Sequence, residues 1–210
     1  MKLYDAEWAP SPRRVRIFLA EKGLEIERQV LDLRAGEQLA DPYLRVNPRG
    51  AVPALELDDG EVLCESAAIC RYLEALHPKP SLFGTSAIEV GRIESWTQRV
   101  ESDGYTAAVY VFRNCLPVFS GRGEPGSWPS IPQIPELATR GGIMWRAFTD
   151  ALDERLGASE WLAGDQYSFA DITALVTIDF ARAAKLEIGE EQANIRRWHD
   201  AASARPSASA

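Results

Sequence analysis

The spacing of apolar positions changes partway along the chain, and that change divides it in two. Through about residue 77, short β-prone runs alternate with helical stretches. Lys2 to Asp5 begins the chain as a strand. Val15, Ile17, Phe18 and Leu19 then mark a helix over Arg13 to Lys22, closed by Gly23. Ser11 is expected as its N-cap and Pro12 at its first position, where the missing proline N–H costs nothing. A strand over Ile26 to Leu31 and a polar helix over about Gly36 to Val46 follow, then a turn at Asn47-Pro48-Arg49-Gly50. Ala51 to Leu57 reads as a third strand, Asp58-Asp59-Gly60 as a hairpin turn and Glu61 to Cys64 as a fourth strand. Ile69, Tyr72, Leu73 and Leu76 recur at helical spacing over Glu65 to Leu76. The order is βαβ–α–ββα.

His77 to Gly84 is Pro-rich and cannot continue a helix, so residues 78–85 read as a linker. Beyond it the pattern is almost wholly helical. One long helix is predicted from about Ser86 to Cys115, with others over Glu136 to Leu156, Ser168 to Lys185 and Glu190 to Ala201. Between them Pro117 to Pro135 is rich in Gly, Pro and Ser, a loop of the kind that lies over a site. The predicted organisation is a domain over 1–77, the linker 78–85 and an all-helical domain over 86–210.

Composition narrows the function. With 46% hydrophobic and 26% charged residues the chain is ordinary globular protein. The net charge of −8, with no Lys/Arg-rich run, excludes the basic face that non-specific nucleic-acid binding requires. Cys64, Cys70 and Cys115 have no CxxC spacing, and His77 and His199 lie far apart. Neither a disulfide framework nor a metal site is expected; the cysteines read as buried free thiols in a reducing compartment. Met1 runs straight into Lys2-Leu3-Tyr4-Asp5, and no apolar window reaches the length of a membrane span. A soluble cytoplasmic protein, with no membrane partner, is the expectation.

The candidate chemistry lies in Asn47 to Leu55 and Leu63 to Ile69. Pro53 inside an apparent strand cannot donate a ladder hydrogen bond. A cis Val52–Pro53 bond at an edge would accommodate it and turn the Val52 N–H and C=O toward a ligand. An extended peptide could pair there as an added strand. Glu65-Ser66 sits where a strand gives way to a helix, and a helix N-terminus favours a carboxylate. Glu65 would accept from a ligand ammonium while Ser66 and its N–H hold a ligand carboxylate. A ligand carrying both an α-amino and an α-carboxyl group fits.

Ser168-x-x-Asp171 has a structural reading, a capping box in which the Asp171 carboxylate reaches back to Ser168. Tyr167 and Ile172 take the two positions of a hydrophobic staple.

Four elements, in order, carry a resemblance. They are Ser11-Pro12-Arg13-Arg14-Val15-Arg16-Ile17 to Gly23, Val52-Pro53, Glu65-Ser66-Ala67-Ala68-Ile69 and Tyr167-Ser168-Phe169-Ala170-Asp171-Ile172. Across essentially the whole chain the sequence resembles the glutathione transferases. That resemblance implies an α/β thioredoxin-like N-terminal domain with a mixed four-stranded sheet, followed by an all-α C-terminal domain. It implies that Val52, Glu65 and Ser66 bind glutathione, whose γ-glutamyl end carries the required pair of groups, and that Pro53 is cis. Glutathione would be the co-substrate, with no metal, and a homodimer the common assembly.

The thiol-activating group is drawn from Ser11, whose hydroxyl at a helix N-terminus combines a hydrogen bond with the helix dipole to favour S⁻ over SH. Arg13 and Arg14 add favourable potential for an anion. The chain departs from many serine and cysteine members at Ala9, two positions before Ser11, where they carry the activating residue. Tyr4 is a weaker candidate, its place inside the first strand favouring a packing role. Arg49 and Gln38 are further candidate glutathione contacts, against the plainer reading of Arg49 as an exposed turn residue. The acceptor pocket is expected to take Trp8, Tyr105, Val109 and Phe112, the last three at i, i+4, i+7 spacing.

The expected function is transfer of the glutathione thiolate to small hydrophobic electrophiles. The alternatives are a non-catalytic ligand carrier or interaction module, and a glutathione-dependent peroxidase or reductase. The lack of a cysteine near residues 9 to 12 argues against disulfide exchange by the protein itself.

Overall fold

The computed structural model describes residues 1–210. The chain divides into two compact units, one of residues 1–80, 124–131 and 210, the other of residues 81–123 and 132–209. Residues 124–131, expected only as part of a loop, thus belong with the first unit. No helix is long and apolar enough to cross a membrane.

The first unit holds strands β1 (Lys2–Asp5), β2 (Glu27–Val30), β3 (Ala54–Glu56) and β4 (Val62–Cys64) in the order β2-β1-β3-β4. Helix α1 (Pro10–Lys22) crosses from β1 to its parallel neighbour β2, while β1–β3 and β3–β4 are antiparallel. This is the expected mixed four-stranded sheet. Leu3 lies opposite Leu55, and both are fully buried with Ile17, Phe18, Ile69 and Leu73. Tyr4, opposite Ala54, points to the other face and clusters with Leu31 and Tyr43. Strand alternation thus gives the sheet two buried faces.

Asp5 ends β1 fully buried, where it accepts from Arg16 Nη1 of α1 at 2.7 Å, Arg28 Nε of β2 at 2.6 Å and the Ala6 N–H at 2.7 Å. A buried carboxylate is tolerated because its oxygens are supplied with cationic and backbone donors.

Several local expectations are corrected. Helix α1 starts at Pro10, with Ala9 as its extended N-cap, so Ser11 and Pro12 occupy the second and third helical positions. Pro10 both presets helical φ and holds Ala9 out of the α region, which moves the start two residues upstream. The polar helix over Gly36 to Val46 is instead a 3₁₀ turn, Glu37–Leu39, and a single turn α2, Asp41–Leu44. Pro42 has no N–H to continue a helix through that stretch. Pro53 precedes β3 rather than lying inside it, and β3 is an interior strand, not an edge. Its missing N–H therefore falls outside the ladder.

In the second unit, α4 (Ala87–Arg99) and α5 (Thr106–Cys115) are joined by a π-helical segment, Val100–Tyr105, where a single long helix was expected. Thr106 Oγ1 donates to the Glu101 carbonyl five residues back, at 2.9 Å. Within the segment Gly104 meets α6 (Pro135–Gly157): an added Cβ would lie 2.6 Å from the Phe148 ring. The remaining helices are α7 (Phe169–Ala181), buried along most of its length, and α8 (Ala193–Ser203). Thr173 and Thr177 are fully buried in α7, each donating its hydroxyl to the carbonyl four residues back at 2.8 Å. The buried hydroxyls are thereby satisfied inside the helix.

The Asp171 carboxylate accepts from the Ser168 N–H at 3.0 Å, the Ser168 hydroxyl at 2.9 Å, the Leu162 N–H at 2.9 Å and Trp198 Nε1 at 2.9 Å. The predicted reach back to Ser168 is present, and its tertiary partners on the preceding loop and α8 are new. Burial raises the Asp171 carboxyl above the ordinary range, opposed by these four donors.

The cysteines are not all buried: Cys115 is exposed at the end of α5, Cys64 is half-buried and Cys70 is buried. Burial raises the thiol pKa of Cys64, and more strongly that of Cys70. An alkylating reagent at neutral pH should therefore label Cys115 first, Cys64 more slowly and Cys70 only on unfolding. Mass spectrometry of the native protein checks this; early labelling of Cys70 would contradict it.

Candidate functional site

The expected glutathione contacts Arg49, Val52, Pro53, Glu65 and Ser66 lie on or beside one turn and one helix start. Asn47 to Gly50 forms the turn, with the Gly50 N–H donating to the Asn47 carbonyl at 2.9 Å and the Arg49 N–H to Asn47 Oδ1 at 3.1 Å. Ala51 follows, and its carbonyl accepts from Asn47 Nδ2 at 2.7 Å and from the Tyr43 hydroxyl at 2.5 Å. Burial raises the Tyr43 hydroxyl pKa well above its usual value, so it stays a donor. The backbone entering Val52 is therefore held from two sides. The Val52–Pro53 bond is cis, as expected.

Glu65 lies between β4 and α3 (Ser66–Leu76), at φ 68° and ψ 119°. A positive φ is costly for a residue with a Cβ, on the order of 1–3 kcal/mol, and such residues concentrate at functional sites. The helix expected from Glu65 starts at Ser66, leaving Glu65 as the N-cap. Its side chain makes no capping bond to α3 and pairs instead with Arg49, Nη1 to Oε1 at 2.5 Å. Ser66 is buried at the first helical position. The arrangement presents an exposed carboxylate, an exposed guanidinium and a helix N-terminus without a side-chain cap within one small region.

Arg49 is thus exposed, as its plainer reading held, and also engaged with Glu65: their side chains are 62% and 66% accessible. Gln38 is buried, and its Oε1 has no hydrogen-bond partner. It lies against the turn, since a Cβ on Gly50 would sit 3.1 Å from the Gln38 carbonyl. A buried acceptor without a donor is rare and costly.

Ser11 lies half-buried in the first turn of α1. It is the one residue of 10–12 with a backbone N–H, because both neighbours are proline. Tyr4 is buried with its hydroxyl donating to Glu56 at 2.7 Å, in line with a packing role. Arg14 is buried.

The predicted acceptor residues fall in different units. Trp8, in the first, is 53% exposed, with the Arg34 guanidinium 6.0 Å from its ring. Tyr105, Val109 and Phe112, in the second, are half-buried. Tyr105 and Phe112 flank Phe180 with centroids at 5.6 and 5.1 Å, and Phe119 extends the group. Cavities of 170 and 400 Å³ in the helical unit are lined by other residues, among them Trp96 and Met144 in one and Trp145 and His199 in the other. No group of three or more His, Cys, Asp or Glu side chains is disposed to hold a metal ion.

The family profile of the glutathione S-transferase N-terminal domain matches residues 8–76, and that of the C-terminal domain matches residues 146–206. Glutathione S-transferase 2 of Saccharomyces cerevisiae is 33% identical over 99% of this chain and 87% of its own. The chain belongs to the glutathione S-transferase family. Glutathione S-transferase F9 of Arabidopsis thaliana is 29% identical, covering 98% of this chain and 93% of its own. Among solved structures, a glutathione S-transferase domain-containing protein of Marinobacter aquaeolei superposes with a TM-score of 0.89 at 34% identity, over 99% of both chains. As a glutathione S-transferase fold, the chain has the expected α/β unit and a helical C-terminal part. Sequence reasoning missed the Tyr43 hydroxyl, which holds the turn through the Ala51 carbonyl; a bond to a backbone carbonyl eight residues on leaves no mark in residue type.

Proposed function

We propose that the protein binds glutathione on its first unit and transfers the thiolate to small hydrophobic electrophiles. The observation that carries this reading is the Glu65–Ser66 corner, a strained carboxylate residue outside the start of α3. Glu65 accepts from the ligand ammonium, and Ser66 with the α3 N-terminus takes the γ-glutamyl carboxylate. Arg49, paired with Glu65, offers a cation to a ligand carboxylate, and Gln38 is a further polar contact beside the turn. The Val52 backbone, next to Pro53, pairs with the extended cysteinyl part. The names of the relatives support the same chemistry.

The sulfur lies toward the first turn of α1, where the Ser11 hydroxyl and the helix dipole favour S⁻. The thiolate forms an S–C bond to the electrophilic carbon as the leaving group departs with its electron pair; in the addition case the product carbanion takes a proton. Holding both reactants together supplies much of the acceleration. Trp8 of the first unit meets the apolar acceptor; Tyr105, Val109 and Phe112 form an apolar face of the second unit. A homodimer working in a reducing cytoplasm completes the proposal.

Ala9 at the N-cap of α1 favours a second reading, a glutathione-fold carrier without thiol activation. The thiol pKa of bound glutathione, followed by ultraviolet thiolate absorbance, separates the two. A value below that of free glutathione is expected, with Ser11→Ala moving it up by about one unit and lowering turnover roughly tenfold. An unshifted pKa would favour the carrier; unchanged turnover in Ser11→Ala would remove Ser11 from the mechanism.

A further inference from the structure

The segment 124–131 lies some 75 residues beyond the Asn47–Gly50 turn in the chain, yet it packs within the first unit. Its contact is made through Gly126 and Ser127. The Ser127 N–H donates to the Arg49 carbonyl at 2.8 Å, and the Ser127 hydroxyl donates to the Pro48 carbonyl at 2.5 Å. Gly126 has φ +107°, and a Cβ there would stand 2.6 Å from the same Arg49 carbonyl oxygen. Only glycine permits both that backbone conformation and that approach.

The two carbonyls that Ser127 engages belong to consecutive residues of the turn that carries Arg49 and leads into Val52. Asn47 holds the turn from inside, through the Arg49 N–H and the Ala51 carbonyl. Ser127 holds it from outside. With both faces fixed, the Arg49 backbone cannot rotate freely about the Pro48–Arg49 peptide, and its guanidinium is kept within reach of Glu65. Without the outer contact, two carbonyls return to water and the turn is restrained on one side only. An exposed Arg–Glu pair is too weak to restore that order by itself.

We propose that Gly126 and Ser127 are positioning residues for glutathione recognition: the segment 124–131 straps the Pro48–Arg49 turn so that Arg49 and the Val52 backbone are pre-set for the γ-glutamyl and cysteinyl groups. This inference rests on the glutathione site described above. Pre-setting a binding turn raises affinity by removing an ordering cost from the binding step. It does not touch the reacting sulfur, so its signature is in binding of one substrate rather than in turnover.

The test is steady-state kinetics with glutathione and an aryl halide, alongside binding of S-methylglutathione, whose thioether makes thiol ionisation irrelevant. Ser127→Ala should raise the KM for glutathione roughly fivefold, the equivalent of one lost hydrogen bond. The S-methylglutathione Kd should rise in parallel, the KM for the aryl halide should stay within twofold, and Ser127→Thr should restore the parent values. Gly126→Ala should have the larger effect, on the order of tenfold or more, because both its φ and the Arg49 carbonyl oppose the added methyl. If Gly126→Ala does not fold, Ser127→Ala and its threonine rescue decide alone. Unchanged KM for glutathione in Ser127→Ala, whatever its thermal midpoint, overturns the strap. Glu65→Gln run beside it separates the failures: a raised KM there leaves the site standing without its strap, and an unchanged one removes both.

Discussion

Glu65→Ala and Ser66→Ala should each weaken glutathione binding by roughly 100-fold, the cost of leaving one end of a zwitterion without its charged or charge-assisted partner. Calorimetric titration with S-methylglutathione measures this without interference from thiol chemistry. The two residues contribute differently. Glu65 is exposed and strained, so its backbone conformation is a cost the fold bears at that corner. Glu65→Gly should therefore lose binding to the same extent while gaining about 1 kcal/mol of stability, because glycine adopts φ 68° without its Cβ penalty. The surface pair with Arg49 that it sacrifices is worth little at 62% and 66% accessibility. Opposite movement of affinity and thermal midpoint would mark Glu65 as retained for the ligand. Full affinity in either alanine variant would dismiss this corner as the γ-glutamyl site.

The second large effect concerns stability. Asp171→Ala should destabilise the protein by about 3–5 kcal/mol, since it strands the Leu162 N–H, the Ser168 N–H and Trp198 Nε1 in a region where Asp171 and Trp198 are fully buried. For a chain of this length, each 1 kcal/mol moves the thermal midpoint by about 2–4 °C, so a drop of roughly 10 °C is expected. Asp171→Asn should fall between, because its amide NH₂ meets donors rather than acceptors at the Ser168 side. A loss below about 1 kcal/mol for Asp171→Ala would mean that water re-satisfies these donors. The pH dependence has a definite sign. Burial raises the folded carboxyl above its unfolded value, so the native state binds the extra proton between the two. Asp171 therefore makes stability fall as pH rises from about 4 through that window. It does not drive acid unfolding.

Much of this was legible in the residues. The alternation of short strands with helices through residue 77, and the helical remainder, follow from apolar spacing alone, because strands and helices bury different periodicities. The corner at Glu65-Ser66 and the cis bond at Val52-Pro53 were legible because strand-to-helix transitions and prolines near strands leave local marks. The reach of Asp171 back to Ser168 was legible for the same reason, being a contact across three residues.

Other features were settled by contacts between distant segments. The long helix expected through Cys115 carries a π segment around Gly104, where Phe148 of α6 fills the space a side chain would take. Arg28 and Arg16 converge on Asp5 only because β1, α1 and β2 are brought together. The strap at Gly126-Ser127 looks in sequence like any Gly/Pro/Ser loop. Its meaning comes from the carbonyls of Pro48 and Arg49, to which it donates. The sequence by itself determined the order of elements, the family and the residue types at the Glu65–Ser66 corner, since these rest on local propensity and on side-chain identity. Tertiary structure decided which donors meet which acceptors, because hydrogen bonds between backbone carbonyls and remote residues leave no trace in residue type.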